Sequence, residues 1–589
     1  MEWTNQHTFV PREKSMNLVH LLRDREIGID RRYSVHRRKL KDFDADFFKC
    51  ITPNLTIANV EKHFNFIRKF TPDGKYLICF SRDQQSFESY KFLGTTRVCP
   101  LLYHWKTEYV PPDCNNGLGG LIRRNIFNEL FRLHWSIQLS STFMRPLYRE
   151  FSIFTEDGKY IIIASHTPIA EEHLPSYYTM GSINCMHFEY DLFSYRFYLI
   201  RLRDGSVSDT MEFQYDFIKL SHNHGVSLKG NLMVVVSLLH QTINLVKLKD
   251  GKFIRLNTLG VYPHGTDECL CKHVPEYEKC CQTLDNGLSG FKQKIVIFLY
   301  NKVMSYPIEQ RPELLKMFYQ RLYIYEAMQI YKLQFLDEDH LLIRYDLHKH
   351  PEVETAIAHK FFVLYNLPED EIIKISAENA FDLLLYFVYC CDTFRDTRSL
   401  FTGRAPSSSS NNMQIRCAQQ RIIHSFPRGF FDAAYRLLPQ IPLAVQSYSA
   451  SPYLDLNLFH YDTQLVSALE RPRYSNCEPI NFSDRTSKLL LFRMYFGIFN
   501  YMDNNVLQQQ YRGPGGGGTV GGGAAAAAGG TAGGVSGGAV GGGAPPSAPK
   551  ELLAFVFHPI EPFFISVQKL ENRYVTNFHI RNEGTILRR

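Results

Sequence analysis

Cys269-x-Cys271-x-His273, followed by Cys280-Cys281, is the densest group of metal-competent side chains in this chain of 589 residues. Thiolate and imidazole are suitable ligands for tetrahedral zinc. The spacing does not match the common zinc fingers, and adjacent cysteines close on one ion only with strain. The expectation is a cysteine-bearing loop with no metal and no cofactor. Gly534-Val535-Ser536-Gly537-Gly538 matches the pattern of a nucleophile elbow. That pattern works only on a strained turn between a strand and a helix, and here it sits in a Gly/Ala run that holds nothing in place. No Gly-rich loop ending in Lys-Ser/Thr and no His-Glu-x-x-His occurs, which removes the P-loop phosphate cradle and the HExxH zinc site. Carboxylates are scattered without the spacing that acid–base work needs. The residues point away from an enzyme.

Two stretches near the start carry binding chemistry instead. Leu18, Leu21, Leu22 and Arg25 fall at i, i+3, i+4 and i+7, one stripe on a short helix that ends at Gly28. A helix this short is marginal in water, so its stripe must bury against its own body or a partner. Arg31, Arg32, Arg37, Arg38, Lys39 and Lys41 then place six cations in eleven residues. Such a run suits a nuclear-import address, a phosphate-contacting patch or a solvated arm.

The elements that would carry these features are mostly strands. Residues 70–81 nearly recur as residues 154–165, with eight of twelve positions identical at a separation of 84. Each copy runs through an Asp-Gly turn, Asp73-Gly74 or Asp157-Gly158, into an apolar β stretch. Eighty-four is twice 42, and about 40–45 residues is the period of a propeller blade. Weaker echoes occur at Lys229-Gly230-Asn231, Asp337-Glu338-Asp339 and His558-Pro559-Ile560-Glu561. Arg203-Asp204-Gly205 and Lys249-Asp250-Gly251 fit turns between outer strands. No Trp-Asp dipeptide occurs, so the pattern is not that of WD40 repeats.

The fold expected is all-β dominated, a divergent β-propeller with helical insertions and an N-terminal helical arm. Residues 1–50 form the basic arm and 51–308 form blades. Residues 309–440 are a mixed helical insertion with strands, in which 312–333, 381–394 and 414–438 read as helical. Residues 441–512 return to a blade. Residues 513–549 hold 17 of the 37 glycines and are expected to be a disordered loop. Residues 550–589 supply closing strands.

Composition supports a globular chain: 44% hydrophobic, 21% charged and 14% aromatic, with a net charge of +7. The 13 cysteines are an odd number scattered through apolar runs, which suits reduced thiols rather than a disulfide framework. The polar first twenty residues lack a signal peptide's apolar core. The longest apolar run, 381–391, contains Asp382 and is too short to span a bilayer. A soluble, intracellular protein without a membrane partner is expected.

Several longer blocks carry a family resemblance. They are Asn59-Val60-Glu61-Lys62, Phe66 to Tyr76, Leu220-Ser221-His222-Asn223 and Gln334 to Leu341. Gln446 to Leu456 with Glu470-Arg471-Pro472 is the strongest, and Phe557 to Phe563 and Val575 to His579 end the set. Together they resemble the de-etiolated family, including its insect members, called the abnormal oocyte protein. The resemblance implies a nuclear, non-catalytic subunit of a cullin-four RING ubiquitin ligase that directs ubiquitination of transcription regulators. It implies three partners: the damaged-DNA-binding adaptor, a small DET-and-adaptor-associated protein and the constitutive photomorphogenic E3. It also implies chromatin association and repression of transcription, for example of histone genes, through nucleosomes or promoter DNA. The Leu18–Arg25 stripe is similar to the short helix by which such receptors enter the adaptor. On that likeness Leu18, Leu21, Leu22, Arg23 and Arg25 are the adaptor contacts. The 513–549 run is not required by the family.

Overall fold

The computed structural model describes residues 48–61, 66–112, 117–139, 145–169, 192–260, 290–320, 328–347, 360–377, 551–570 and 573–582, with short pieces at 380–383 and between 451 and 495. Six sheets account for most of them. Sheet I is Phe66–Phe70, Tyr76–Phe80, Ser86–Phe92 and Phe131–Gln138. Sheet II is Ile153–Phe154, Tyr160–Pro168, Phe193–Arg201 and Val207–Asp216. Sheet III is Val226–Lys229, Leu232–Ser237, Thr242–Lys249 and Lys252–Leu259. Sheet IV is Met328–Phe335, His340–Leu347, Lys360–Asn366 and Glu371–Ala377. All four are antiparallel meanders, with the strands paired in chain order. Sheet V is Phe459–His460, Ile480–Asp484 and Leu490–Met494.

Sheet VI joins the two ends of the chain. Its order is Arg473–Ser475, Glu551–Phe557, Phe564–Leu570, Arg573–Ile580, Leu55–Ile57 and Tyr109–Val110. Leu55–Ile57 pairs antiparallel with the C-terminal strand, Leu55 opposite Ile580 and Ile57 opposite Phe578.

The second strand of each sheet explains how the sheets stack. Side chains alternate between the two faces of a strand, yet Tyr76–Phe80 and Tyr160–Pro168 begin as continuous apolar runs. Both faces are therefore buried. Leu77 and Cys79 pack with Val556, Ile565 and Phe578 of sheet VI, while Ile78 and Phe80 pack with Ile161, Ile163 and Tyr198 of sheet II. Ile162 and Ala164 face Met233 and Val235 of sheet III. Val234 and Val236 face Leu333, Leu341 and Ile343 of sheet IV. Phe482 and Phe492 of sheet V join Phe555, Phe557 and Phe564 of sheet VI. Each fully buried aliphatic or aromatic side chain contributes roughly 1.5–3 kcal/mol. The packing order is thus V, VI, I, II, III, IV.

A gradient of burial runs across sheets I to IV. The first strand is buried, as in Val226–Lys229, and the last is largely exposed, as in Lys252–Leu259. First strands also lie beside one another, that of sheet III next to that of sheet IV. Face-to-face stacking with a buried inner edge and a wet outer edge is a propeller-like, all-β-dominated architecture.

Three sequence expectations need correction or extension. The 84-residue repeat joins neighbouring sheets I and II, so it is one structural period and not two. The helix Gly117–Leu130, inserted before the last strand of sheet I, lengthens that period. Within the stretch expected to be helical over 312–333, Arg311–Gln320 is a helix, whereas Met328–Phe335 is a strand. The helix Gly290–Met304 lies in a region read as blades. Among the described residues, Cys50, Cys79 and Cys99 are in no disulfide bond. Among the described residues, no helix is long and apolar enough to cross a membrane.

Candidate interaction surface: turns, seams and the root of the arm

The Asp-Gly turns sit between the first and second strands of sheets I and II, and they are built alike. Thr71 Oγ1 donates to Asp73 Oδ1 at 2.6 Å, Asp73 Oδ1 accepts from Lys75 N at 3.1 Å, and Tyr76 N donates to Thr71 Oγ1 at 3.0 Å. Thr155, Asp157, Lys159 and Tyr160 repeat these bonds at 2.6, 3.1 and 3.0 Å. Gly74 and Gly158 take φ of +73° and +64°. The weaker echoes at 229–231 and 337–339 occupy the same place in sheets III and IV, and the one at 558–561 joins Glu551–Phe557 to Phe564–Leu570, the second and third strands of sheet VI. At Asp337 the carboxylate accepts from Asp339 N and His340 N, both at 2.8 Å. The outer turn at Arg203-Asp204-Gly205 leans on the preceding sheet, where Trp135 Nε1 donates to Leu202 O at 2.9 Å. Ser208 Oγ donates to Gly251 O at 2.7 Å, so the next outer turn does the same.

The family-like blocks are the seams between sheets. In the block at 220–223, Leu220 enters the core, and Ser221 Oγ donates to Glu150 Oε2 at 2.6 Å. Asn223 reads the backbone of Ser152 from both sides: Oδ1 accepts from N and Nδ2 donates to O, each at 3.1 Å. His222 and Asn223 hold φ of +50° and +61°, an uncommon conformation outside glycine, fixed here by those bonds.

His558 locks sheet VI to sheet I. Its ring lies against Phe70 and Phe92, with centroids at 4.9 and 4.6 Å. Nε2 donates to Gly74 O at 2.9 Å, and Nδ1 accepts from Ile560 N and Glu561 N at 3.1 and 2.8 Å. Burial pushes its pKa down to about 4. The closing strand is stapled similarly. His579 lies between Thr56 Oγ1 at 3.0 Å and Ser566 Oγ at 2.8 Å, and Asn59 N donates to Asn577 Oδ1 at 3.0 Å. Ser566 and His579 have the spacing of a nucleophile and its base. Ser566 is 0% exposed and His579 1%, and burial pushes the His579 pKa down to about 3. The pair has no solvent access and remains a structural contact.

The root of the N-terminal arm is anchored by the strongest block. Tyr453 is fully buried, its OH donates to Ile51 O at 2.5 Å, and its ring meets Phe48 edge-on at 6.0 Å. Lys49 pairs with Asp484 at 2.7 Å, and Arg581 donates to Cys50 O at 2.8 Å. The arm therefore leaves a fixed point on sheets V and VI.

Of the residues singled out in the sequence, Asp73, Gly74, Asp157 and Gly158 are in place as turns. Leu18, Leu21, Leu22, Arg23 and Arg25, the run Arg31, Arg32, Arg37, Arg38, Lys39 and Lys41, and the group Cys269, Cys271, His273, Cys280 and Cys281 lie outside the described residues. So do the 414–438 stretch and 513–549. Among the described residues, no three His, Cys, Asp or Glu are grouped to hold a metal ion. A cation cluster around Tyr331 had no signal in the sequence, because its members are spread from Lys219 to Arg344.

The fold and its seams define a scaffold of stacked antiparallel sheets, stapled by buried His, Asn and Tyr side chains. The chain belongs to the family described as De-etiolated protein 1, Det1, whose model matches residues 149–510 and 537–582. The tomato (Solanum lycopersicum) light-mediated development protein DET1 is 28% identical over 570 residues, covering 93% of this chain and 95% of that protein. Its namesake from Arabidopsis thaliana is 28% identical over 484 residues, covering 76% and 86%. Among solved structures, the Dos1 propeller is similar over 57% of this chain and 54% of that one, at 10% identity and a TM-score of 0.22.

Proposed function

We propose that the chain is a non-catalytic scaffold and substrate-receptor subunit of a nuclear cullin-four RING ubiquitin ligase. In this reading it directs ubiquitination of transcription regulators and represses transcription. The observation that supports it most is the anchored root of the arm. Tyr453, Lys49 and Arg581 hold residues 48–51 on the sheets, so the Leu18–Arg25 stripe hangs from a fixed origin. An apolar stripe on a tethered segment suits helix-in-groove docking, and the damaged-DNA-binding adaptor is the groove. The small DET-and-adaptor-associated protein and the constitutive photomorphogenic E3 complete the assembly, and catalysis belongs to a separate E2 and RING. Family membership supports this assignment.

The test is co-purification of the adaptor with the full chain carrying Leu21→Glu and Leu22→Glu. The adaptor is lost while the sheets stay folded by circular dichroism. Undiminished recovery rejects the helix assignment.

A second reading draws on Arg31–Lys41 and the net charge of +7: direct negative regulation of transcription on chromatin, through nucleosomes or promoter DNA. Contact with several phosphates weakens steeply with salt. Nucleosome binding by the full chain that is absent, or insensitive to salt between about 50 and 200 mM, rejects it.

A further inference from the structure

The outer hairpin of sheet III carries charge and apolar surface together. Thr242–Lys249 and Lys252–Leu259 meet at the Asp250-Gly251 turn, with Lys249 opposite Lys252 and Lys247 opposite Ile254. Residues opposite one another share a face, with Cβ atoms about 4.5–5.5 Å apart. Lys247, Lys249, Lys252 and Ile254 therefore form one face near the tip of the hairpin. All three lysines are exposed, and among the described residues none of them has an ion pair. Asp250 at the tip offsets only one of the three charges. Ile254 is 41% exposed, and Leu256 is 53% exposed beside the bulge where the register slips between Leu245 and Val246.

Lysines at a sheet edge ordinarily guard it against pairing with another strand. This edge is guarded by other means. Phe253 N donates to Asp209 Oδ2 at 2.8 Å and Thr258 N to Asn257 Oδ1 at 2.7 Å, and the bulge bends the strand. Lys247 and Lys249 belong to the neighbour of the edge strand and not to the edge itself. Two aliphatic side chains in water work against such a guard. The other face of the same hairpin shows the contrast: Leu248 and Phe253 pack into the core between sheets II and III, and the Arg255 guanidinium lies over the Phe213 ring at 4.8 Å. Like charges directly opposite one another also destabilise the pair of strands, so Lys249 beside Lys252 has a cost that the sheet does not need.

We propose that this hairpin face binds an acidic, apolar-rich segment of another protein chain. Charge complementarity selects the acid: a carboxylate set between Lys249 and Lys252 removes their opposition, and complementary charges guide encounter and fix the register of the partner. Ile254 and Leu256 select the apolar part, since covering them removes aliphatic surface from water. The phosphate backbone of a nucleic acid offers no apolar surface to do this. The segment lies across the face, because the capped N–H groups leave the edge unfit for strand addition. This surface is independent of the N-terminal arm and of the ligase reading.

The test uses the purified full chain and the fluorescence anisotropy of a labelled peptide that alternates Asp or Glu with Leu or Phe. Saturable binding is expected, and replacing the acidic residues of the peptide by Lys, or its apolar residues by Ser, weakens it at least tenfold. In the protein, Lys249→Gln with Lys252→Gln weakens binding at least fivefold, Ile254→Ser also weakens it, and Lys91→Gln, on sheet I, leaves it unchanged. Circular dichroism checks that each variant is folded. Absence of saturable binding overturns the proposal, as does equal affinity for the Ser-substituted peptide or equal affinity in the double-lysine and Lys91→Gln proteins. Duplex DNA that binds this hairpin more tightly than the peptide also overturns it.

Discussion

Replacing Gly74 by alanine tests the seam between sheets VI and I at one atom. Gly74 has φ +73°, and a Cβ there would lie 2.6 Å from both Cε1 and Nε2 of His558 and 3.1 Å from Cγ of Pro559. His558 cannot move aside cheaply. It is 3% exposed, lies against Phe70 and Phe92, and uses both ring nitrogens. The left-handed conformation alone costs about 1–2 kcal/mol for a residue with a Cβ. Overpacking adds roughly 1–3 kcal/mol, and a buried hydrogen bond left unmade adds about 1–3 kcal/mol. The expected loss is therefore about 3–8 kcal/mol, the sum of those ranges. Gly230→Ala is the control: its φ is +58° and nothing lies within 4 Å of the added Cβ, so only the first cost of about 1–2 kcal/mol applies. Amide hydrogen exchange of peptides from Tyr76–Phe80 and Phe564–Leu570 reads the seam directly. Gly74→Ala speeds exchange in both strands, and Gly230→Ala leaves them close to the parent. Equal protection in the two variants would refute the packing of His558 on this turn.

Other perturbations probe the remaining staples. His558 and His579 have pKa values pushed down to about 4 and about 3 by burial, against about 6.5 when unfolded. The unfolded chain takes up their protons first, so stability is full above pH 6.5 and falls as the pH drops toward 4, by about 1.4 kcal/mol per histidine per pH unit at most. Urea midpoints between pH 7 and 4.5 show this decline, and a flat profile would contradict the buried neutral state. Asn223→Leu removes both bonds to Ser152 and leaves its buried N–H without that partner, while its C=O keeps the bond from Lys69 Nζ at 3.0 Å, at a cost of about 1–3 kcal/mol, seen as a lowered urea midpoint; Asn257→Leu, on the exposed last strand of sheet III, changes it by less than about 0.5 kcal/mol. Tyr453→Phe deletes the bond to Ile51 O and costs about 1 kcal/mol. Limited proteolysis then cuts sooner near residue 51, while cleavage within sheets II and III keeps its rate.

What the sequence disclosed was local. An Asp two residues after Thr and just before Gly defines a turn that needs only its own neighbours, so Thr71–Tyr76 and Thr155–Tyr160 were readable, and even the faint echoes at 229–231 and 337–339 fall at the corresponding turn of sheets III and IV. Spacing between copies was not reliable, because Gly117–Leu130 is inserted within sheet I without disturbing the turn chemistry. The helix Gly290–Met304 escaped because a run such as Ile295 to Leu299 suits a buried strand equally well. The seams were invisible as seams: His558 meets Gly74, and Thr56 meets His579, across separations of 484 and 523 residues. The cation cluster at Tyr331 stands at a bulge, and bulges leave no mark in residue type. The arm was legible as an amphipathic stripe, but what it meets is a property of another molecule.

Pairing Leu55–Ile57 with Arg573–Ile580 has a consequence for biosynthesis. The early strand emerges from the ribosome long before its mate, and Thr56 waits for His579 through 523 further residues. At about 5–20 residues per second, that is roughly half a minute to two minutes in which Leu55–Ile57 can pair only with the short parallel strand Tyr109–Val110 on its other side. A nonsense codon anywhere upstream of 573 leaves the first strand permanently without its mate, so shortened products should be destroyed rather than retain partial activity.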